Sequence, residues 1–129
     1  MIPKFRVWLP DPDVKKMLKV KALVFEHDKT RCVCGYAYDF YLEDEDATIM
    51  QSTGLKDKNG QEIFEGDILT SENYPVKGVV EFRSNLGMWV NCLKDYSYYE
   101  YLGNVASNRE IIGNIYENPE ILEEDHDRD

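Results

Sequence analysis

The sequence predicts a mainly β fold, or an α+β fold with little helix. Short apolar segments recur about every ten residues and are separated by Gly, Asn and Pro, a spacing typical of sandwiches and small barrels. Aromatic residues make up 12% of the chain, and its nine tyrosines favour strands over long helices. No long amphipathic stretch has helical periodicity, so we expect helices to be few and short.

The length of the chain, 129 residues, makes one domain the default, with room for two small parts. Hydrophobic residues at 43% and charged residues at 31% are ordinary for a folded chain and argue against global disorder. We divide the chain into a β-hairpin-rich N-terminal portion (1–49), a small β-barrel (50–122) and a frayed acidic tail (123–129).

The N-terminal portion begins with an alternating segment, residues 5–9, which reads as a strand and ends at two prolines. Residues 17–25, from Met17 to Phe25, are ambiguous, because their apolar positions fit both helical spacing and strand-like alternation. The polar turn that follows and the aromatic, strand-favouring segment after it lead us to prefer strands. We therefore predict one long hairpin over residues 17–41.

An acidic run, residues 43–46, closes this hairpin. It lacks the spaced ligands and the central Gly of an EF-hand loop, so we interpret it as a solvated turn.

The pair Asn59-Gly60 predicts a β-hairpin in the middle of the chain. Both residues tolerate the positive φ angles that a type I′ turn requires. Gly66-Asp67 then leads into another strand, and we expect Asn59 and Asp67 to bond nearby backbone amides. Positive φ or close backbone approach is expected at four glycines: Gly54, Gly60, Gly66 and Gly113.

Further strands are predicted near residues 78–82, 88–93 and 109–116. A strand that begins with Gly-Asp-Ile and is followed by a strand with the sequence Gly-Val-Val-Glu-Phe is a pattern seen in SH3-like barrels. A helical turn should follow, with Asn118 as its N-cap and Pro119 at the first helical position.

Three ordered segments form a recognisable pattern: Lys4-Phe5-Arg6-Val7-Trp8, the block from Met50 to Ile68 with its Gly-Leu-Lys-Asp-Lys-Asn-Gly and Glu-Gly-Asp signatures, and Ile112-Gly113-Asn114-Ile115-Tyr116-Glu117-Asn118-Pro119. Together they resemble the YopX family of phage and prophage proteins. The resemblance implies an SH3-like barrel in the second half, a β-rich portion before it, and a phage or prophage origin. It brings no catalytic residues, because the family has no established activity.

The sequence offers no catalytic constellation, and we expect a protein that is not an enzyme and needs no cofactor or metal. Neither histidine has a catalytic setting, since His27 falls in a predicted turn and His126 in the acidic tail. The cysteines, Cys32, Cys34 and Cys92, form neither a secreted disulfide framework nor a tetrahedral metal pattern, and we interpret them as buried or half-buried thiols.

The net charge of −10 is spread unevenly: residues 1–31 carry eight Lys or Arg against four acids, so the remainder is strongly acidic. A net negative chain argues against general nucleic-acid binding. No apolar run is long enough to span a bilayer and the N-terminus lacks a signal-peptide core, so a cytoplasmic location without membrane contact is expected.

We therefore expect an interaction module that binds a protein, either a second copy in a homo-oligomer or a host factor. The candidate surface is a tyrosine-rich stretch: Tyr96, Tyr98, Tyr99 and Tyr101. Packing of these tyrosines on the barrel is the structural alternative. Two other functions stay open: a nucleic-acid-binding barrel that uses the basic N-terminal segment, and an acidic mimic of nucleic acid.

Overall fold

The fold is mainly β, as predicted, in a computed structural model that describes residues 3–35, 38–73, 76–94 and 98–123. Within these residues the helices are short: α1 (Leu102–Val105), α2 (Glu120–Glu123) and the 3-10 turns Leu42–Asp44 and Ala106–Asn108. The strands are β1 (Phe5–Leu9), β2 (Lys16–Lys19), β3 (Ala22–Phe25), β4 (Thr30–Val33), β5 (Asp39–Tyr41), β6 (Thr48–Lys56), β7 (Glu62–Phe64), β8 (Asp67–Thr70), β9 (Gly78–Arg83), β10 (Met88–Leu93), β11 (Tyr99–Tyr101) and β12 (Glu110–Asn114).

The chain forms two compact units that divide within β6, between Gln51 and Ser52. The first half of β6 pairs antiparallel with β1, and its second half pairs antiparallel with β7. The sequence-based division after residue 49 falls two residues before this point.

The first unit contains two antiparallel groups of strands. In one, β1 lies between β2 and the first half of β6, and in the other β4 lies between β3 and β5. Its core contains Val7, Cys32 and Cys34, with partly buried apolar side chains packed around them, among them Leu18 and Phe40. The alternating apolar side chains of these strands thus pack into one buried cluster.

Residues 17–25 are extended, which confirms the preference for strand over helix, but the predicted single hairpin over residues 17–41 is wrong. β2 pairs with β1, whereas β3 pairs with β4. The chain changes partner between Val20, whose N–H donates to the Phe5 carbonyl, and Lys21, whose N–H donates to the Val33 carbonyl. Alternation cannot reveal this change, since both segments place apolar side chains against the same core.

The second unit contains a five-stranded antiparallel sheet in the order β11-β10-β9-β8-β12, curled into a half-barrel. Its core consists of five buried residues: Ile63, Leu69, Val80, Leu102 and Ala106. Three partly buried apolar residues pack against them: Leu55, Trp89 and Ile111. β11 and β12 are the two edges, and no ladder in the described residues joins them. Closure into an SH3-like barrel therefore stays a prediction.

The short helix α2 follows Asn118 and Pro119. The Asn118 carbonyl accepts a hydrogen bond from the Ile121 N–H at 3.1 Å, as expected of an N-cap residue, but its side chain bonds elsewhere. The side-chain oxygen of Asn118 accepts a hydrogen bond from the Asn114 N–H at 3.2 Å, so it faces β12 and not the first turn of α2. Of the predicted tail, Glu123 ends α2 and residues 124–129 lie outside the described residues.

Candidate functional site

Asp57, which begins the turn between β6 and β7, is the centre of a buried hydrogen-bond cluster. It is 5% exposed, and its Oδ1 accepts hydrogen bonds from the N–H groups of Asn59 and Gln61 at 2.8 and 2.9 Å. Its Oδ2 accepts one from the N–H of Ile111 in β12, at 3.0 Å. Burial alone would raise the pKa of Asp57, but the three backbone donors outweigh it and the pKa is lowered. Asp57 thus ties the hairpin to β12.

The hairpin predicted from Asn59-Gly60 is confirmed, but its predicted type I′ turn is wrong. Gly60 has φ +81°, whereas Asn59 has no positive φ, and a type I′ turn requires both. The Gly60 N–H donates to the Asp57 carbonyl at 3.0 Å, and the Asp57 N–H donates to the Gln61 carbonyl at 2.8 Å. This is a three-residue loop, in which a type I turn is followed by a left-handed glycine. The amide-binding role expected of Asn59 belongs to Asp57.

Gly66 and Asp67 form the junction between β7 and β8, as predicted. Gly66 has φ +88°, and the buried Asp67 accepts a hydrogen bond from the Phe64 N–H at 2.8 Å. Gly66 also donates to the Val80 carbonyl and accepts from the Ile115 N–H, at 2.9 and 3.0 Å. One glycine therefore connects three segments of the second unit.

Asn114 organises the turn after β12. Its side-chain oxygen accepts hydrogen bonds from the N–H groups of Tyr116 and Glu117 at 3.0 and 2.8 Å, and its own N–H donates to Asn118. Gly113 has φ +156°, and a Cβ there would lie 2.7 Å from the Asn118 side-chain oxygen. The closing motif therefore shapes a turn.

Arg109 links the two edges of the five-stranded sheet by side chains. Its guanidinium donates two hydrogen bonds to the carboxylate of Glu100 in β11, at 2.6 and 3.0 Å. Asn91 of β10 donates to the same carboxylate at 2.9 Å. Burial alone would raise the pKa of Glu100, but Arg109 and Asn91 lower it overall. The residue before β12 is thus held to β11.

Three of the four candidate tyrosines lie in the described residues, and the structure brings two of them together. The rings of Tyr99 and Tyr101 meet edge to face with centroids 5.9 Å apart. Tyr98 lies just before β11 and is 54% exposed, and its carbonyl accepts a hydrogen bond from the Leu93 N–H at 3.3 Å. Tyr96 lies outside the described residues.

We define the tyrosine face as the surface formed by Arg83, Met88, Tyr99 and Tyr101. The registers of β9, β10 and β11 place these residues on the side of the sheet opposite the core residues Val80 and Trp89. Met88 and Tyr101 are 43% and 41% exposed, and the Arg83 guanidinium lies 4.8 Å from the centre of the Tyr99 ring. Sequence reasoning missed Arg83 and Met88, because strand register depends on long-range pairing that alternation within one strand does not specify.

The cysteines are free thiols, and two of them belong to the core of the first unit. The Sγ atoms of Cys32 and Cys34 are 3.7 Å apart. Burial raises the pKa of Cys32 to about 12 and also raises that of Cys34, which keeps both protonated and poorly nucleophilic. This placement fits the interpretation of buried structural thiols.

The remaining polar candidates are exposed. His27 is 97% exposed and 3.7 Å from Asp28, and His126 lies outside the described residues. In the acidic run, Glu43 accepts a hydrogen bond from the Thr30 N–H and Asp44 pairs with Lys29 at 2.8 Å. Across the described ranges, no group of three or more His, Cys, Asp or Glu side chains could hold a metal ion. None of the helices in these ranges is long and apolar enough to cross a bilayer.

These observations define a small antiparallel β protein whose characteristic motifs form turns and strand junctions. The family model described as YopX protein matches residues 4–123, and the chain belongs to the YopX family. The resemblance inferred from the three motif segments is thereby confirmed.

Two solved structures share the fold. The crystal structure of protein EF1440 from Enterococcus faecalis is 29% identical, with a TM-score of 0.63, and the match covers 95% of this chain and 99% of that one. The X-ray structure of protein yopX from Bacillus subtilis is 21% identical, with a TM-score of 0.59, and the match covers 91% and 95%. Among curated proteins, none matches the chain.

Proposed function

We propose that the protein is a non-catalytic interaction module that binds another protein through the tyrosine face. The observation that carries the proposal is the exposure of Met88 and Tyr101 on one face of the sheet, next to Tyr99 and Arg83. Tyr, Met and Arg are enriched in protein interfaces, whereas Lys and Glu are depleted there.

The tyrosine face is ordered by its own contacts. Arg83 donates to Glu81 at 2.8 Å and to the Sγ of Cys92 at 3.4 Å, so its side chain extends across β10 beside Val90. Val90 is 0% exposed at the centre of this face. A partner would therefore meet aromatic and guanidinium groups that are already positioned, which lowers the entropy cost of binding.

A cytoplasmic host factor is the partner that this proposal expects. The phage or prophage origin implied by the family, together with three free cysteines, supports such a setting. The acidic net charge favours a protein over a nucleic acid as the ligand.

The test is capture from host lysate, with and without nuclease treatment, using wild-type protein and two matched variants. Tyr101→Ser combined with Met88→Ser alters the tyrosine face, whereas Phe82→Ser alters a 47% exposed aromatic residue on the opposite face of the same strands. We expect wild type and Phe82→Ser to retain the same protein and the double variant to lose it.

Equal capture by all three proteins would overturn the proposed face. Recovery of nucleic acid alone, lost after nuclease treatment and with added salt, would support the nucleic-acid-binding alternative. A host DNA-binding protein released by moderate salt from all three proteins would support the acidic mimic.

A further inference from the structure

The strand β3, with the sequence Ala-Leu-Val-Phe, is an edge strand without a charge. It lies at one end of the sheet β3-β4-β5 in the first unit and pairs only with β4 in the described residues. Val24 is 41% exposed and Phe25 is 81% exposed. Edge strands are normally protected by charged side chains, as in β2, which carries Lys16 and Lys19.

Half of the backbone groups of β3 point away from β4. The hairpin closes with a hydrogen bond from the Glu26 N–H to the Lys29 carbonyl at 2.9 Å. Because hydrogen-bonded and non-hydrogen-bonded pairs alternate in an antiparallel ladder, Val24 bonds to β4, while the N–H and C=O groups of Leu23 and Phe25 face outward. Within the described part of the chain, no hydrogen bond outside the β3–β4 ladder uses these outward groups.

We infer that β3 is a docking edge for β3 of a second copy of this chain, paired antiparallel about a two-fold axis at Val24. Only residues whose backbone groups face outward can bond across the new edge, so Leu23 of each copy opposes Phe25 of the other. Val24 then opposes its own symmetry mate on the exposed side of the sheet. The two three-stranded sheets become one six-stranded sheet.

Charge complementarity selects a second copy in this orientation. The segment before β3 carries the exposed residue Lys21, and the hairpin tip after β3 carries Asp28, which is 83% exposed. The other charged residues of the tip, Glu26 and Lys29, pair within the same copy, with Arg31 and Asp44. Antiparallel pairing brings the basic end of each copy to the acidic tip of the other, whereas parallel pairing would oppose like charges. The same interface occurs on both copies, as a two-fold dimer requires.

Because the edge is short, the interface is small and the dimer should be weak. Its population should therefore rise with protein concentration. This inference concerns the first unit and is independent of the tyrosine face.

Sedimentation equilibrium from micromolar to millimolar protein tests the inference. We expect the wild type to dimerise and Val24→Lys, which opposes two like charges, to raise the dimer Kd about tenfold or more. Phe25→Pro removes an outward N–H without touching the β4 ladder and should weaken the dimer too. Leu86→Lys, at an exposed apolar residue of the second unit, is the control and should dimerise as the wild type does.

A charge exchange tests the orientation. Lys21→Glu and Asp28→Lys should each weaken the dimer, and the double variant should restore it. A wild type that stays monomeric at millimolar concentration, or a dimer that Val24→Lys and Phe25→Pro leave unchanged, would overturn the inference. Failure of the double variant to restore the dimer would contradict the antiparallel pairing.

Discussion

At the scale of single residues, buried polar groups determine the conformation of the turns. Asp57 accepts hydrogen bonds from Asn59, Gln61 and Ile111, and Asn114 accepts from two residues of the turn that follows it, Tyr116 and Glu117. Each buried acceptor satisfies backbone N–H groups that would otherwise be unpaired away from water. These side chains account for the characteristic motifs without any chemistry on a substrate.

Replacing Asp57 with Asn should destabilise the fold by about 1–3 kcal/mol, because the amide group presents a donor to at least one buried N–H. Chemical denaturation measures the change. Asp46→Asn, at an exposed carboxylate, is the control and should stay within about 0.5 kcal/mol of wild type. Equal effects of the two substitutions would contradict the role given to Asp57.

The pH dependence of the unfolding free energy should also show the contribution of the Asp57 carboxylate. The folded-state pKa of Asp57 is lowered, so its contribution to stability is present above the unfolded-state pKa and is lost as pH falls through the folded-state pKa. The difference in unfolding free energy between wild type and Asp57→Asn should therefore shrink on acidification below the usual aspartate range. A constant difference down to strongly acidic pH would show that the charge on Asp57 does not contribute.

Gly113→Ala should destabilise the protein by about 2 kcal/mol or more, because φ is +156° and the new Cβ would lie 2.7 Å from both Asn118 and Ile121. Gly103→Ala is the matched control: nothing lies within 4 Å of its Cβ position, and alanine is favoured in a helix. Thermal unfolding compares the two variants. A Gly113→Ala protein as stable as the control would refute the crowding at this turn.

At the scale of elements, the pairing of Arg109 with Glu100 is expected to stabilise the β11 edge. Arg109→Ala leaves a partly buried carboxylate without its cation, and we expect a loss of about 1–3 kcal/mol and faster hydrogen exchange of β11 amides than of β9 amides. A double-mutant cycle with Glu100→Gln isolates the coupling. A coupling energy near zero, with unchanged exchange in β11, would contradict this account.

Strand pairing is also where sequence reasoning failed. The strand character of residues 17–25 was predictable from alternation, but the change of partner between Val20 and Lys21 was not, because hydrogen-bond pairing is a long-range property. Likewise, Asn-Gly predicts a hairpin, while the buried carboxylate of Asp57 favours another turn type. Local patterns indicate that a strand or turn exists, and tertiary contacts decide its partner and geometry.

At the scale of the whole molecule, the mainly β fold class was predictable from the sequence, and the candidate surface was predictable only in part. The mainly β character and the positive φ of Gly54, Gly60, Gly66 and Gly113 are confirmed. Tyr99 and Tyr101 were identified as surface candidates from the tyrosine-rich stretch of the sequence. Arg83 and Met88 join them on the tyrosine face because of the register of three strands. Motifs that serve turns are therefore visible in the sequence, whereas a surface assembled across strands is visible only in the structure.

Hydroxyl-radical footprinting of the protein, free and bound to the host protein that it captures, tests the central claim most directly. We predict that oxidation of Met88 and Tyr101 falls on binding, while oxidation of Phe82 on the opposite face of the sheet stays unchanged. Protection of Phe82 with Met88 and Tyr101 still fully reactive would place the partner elsewhere and contradict the proposed interaction surface.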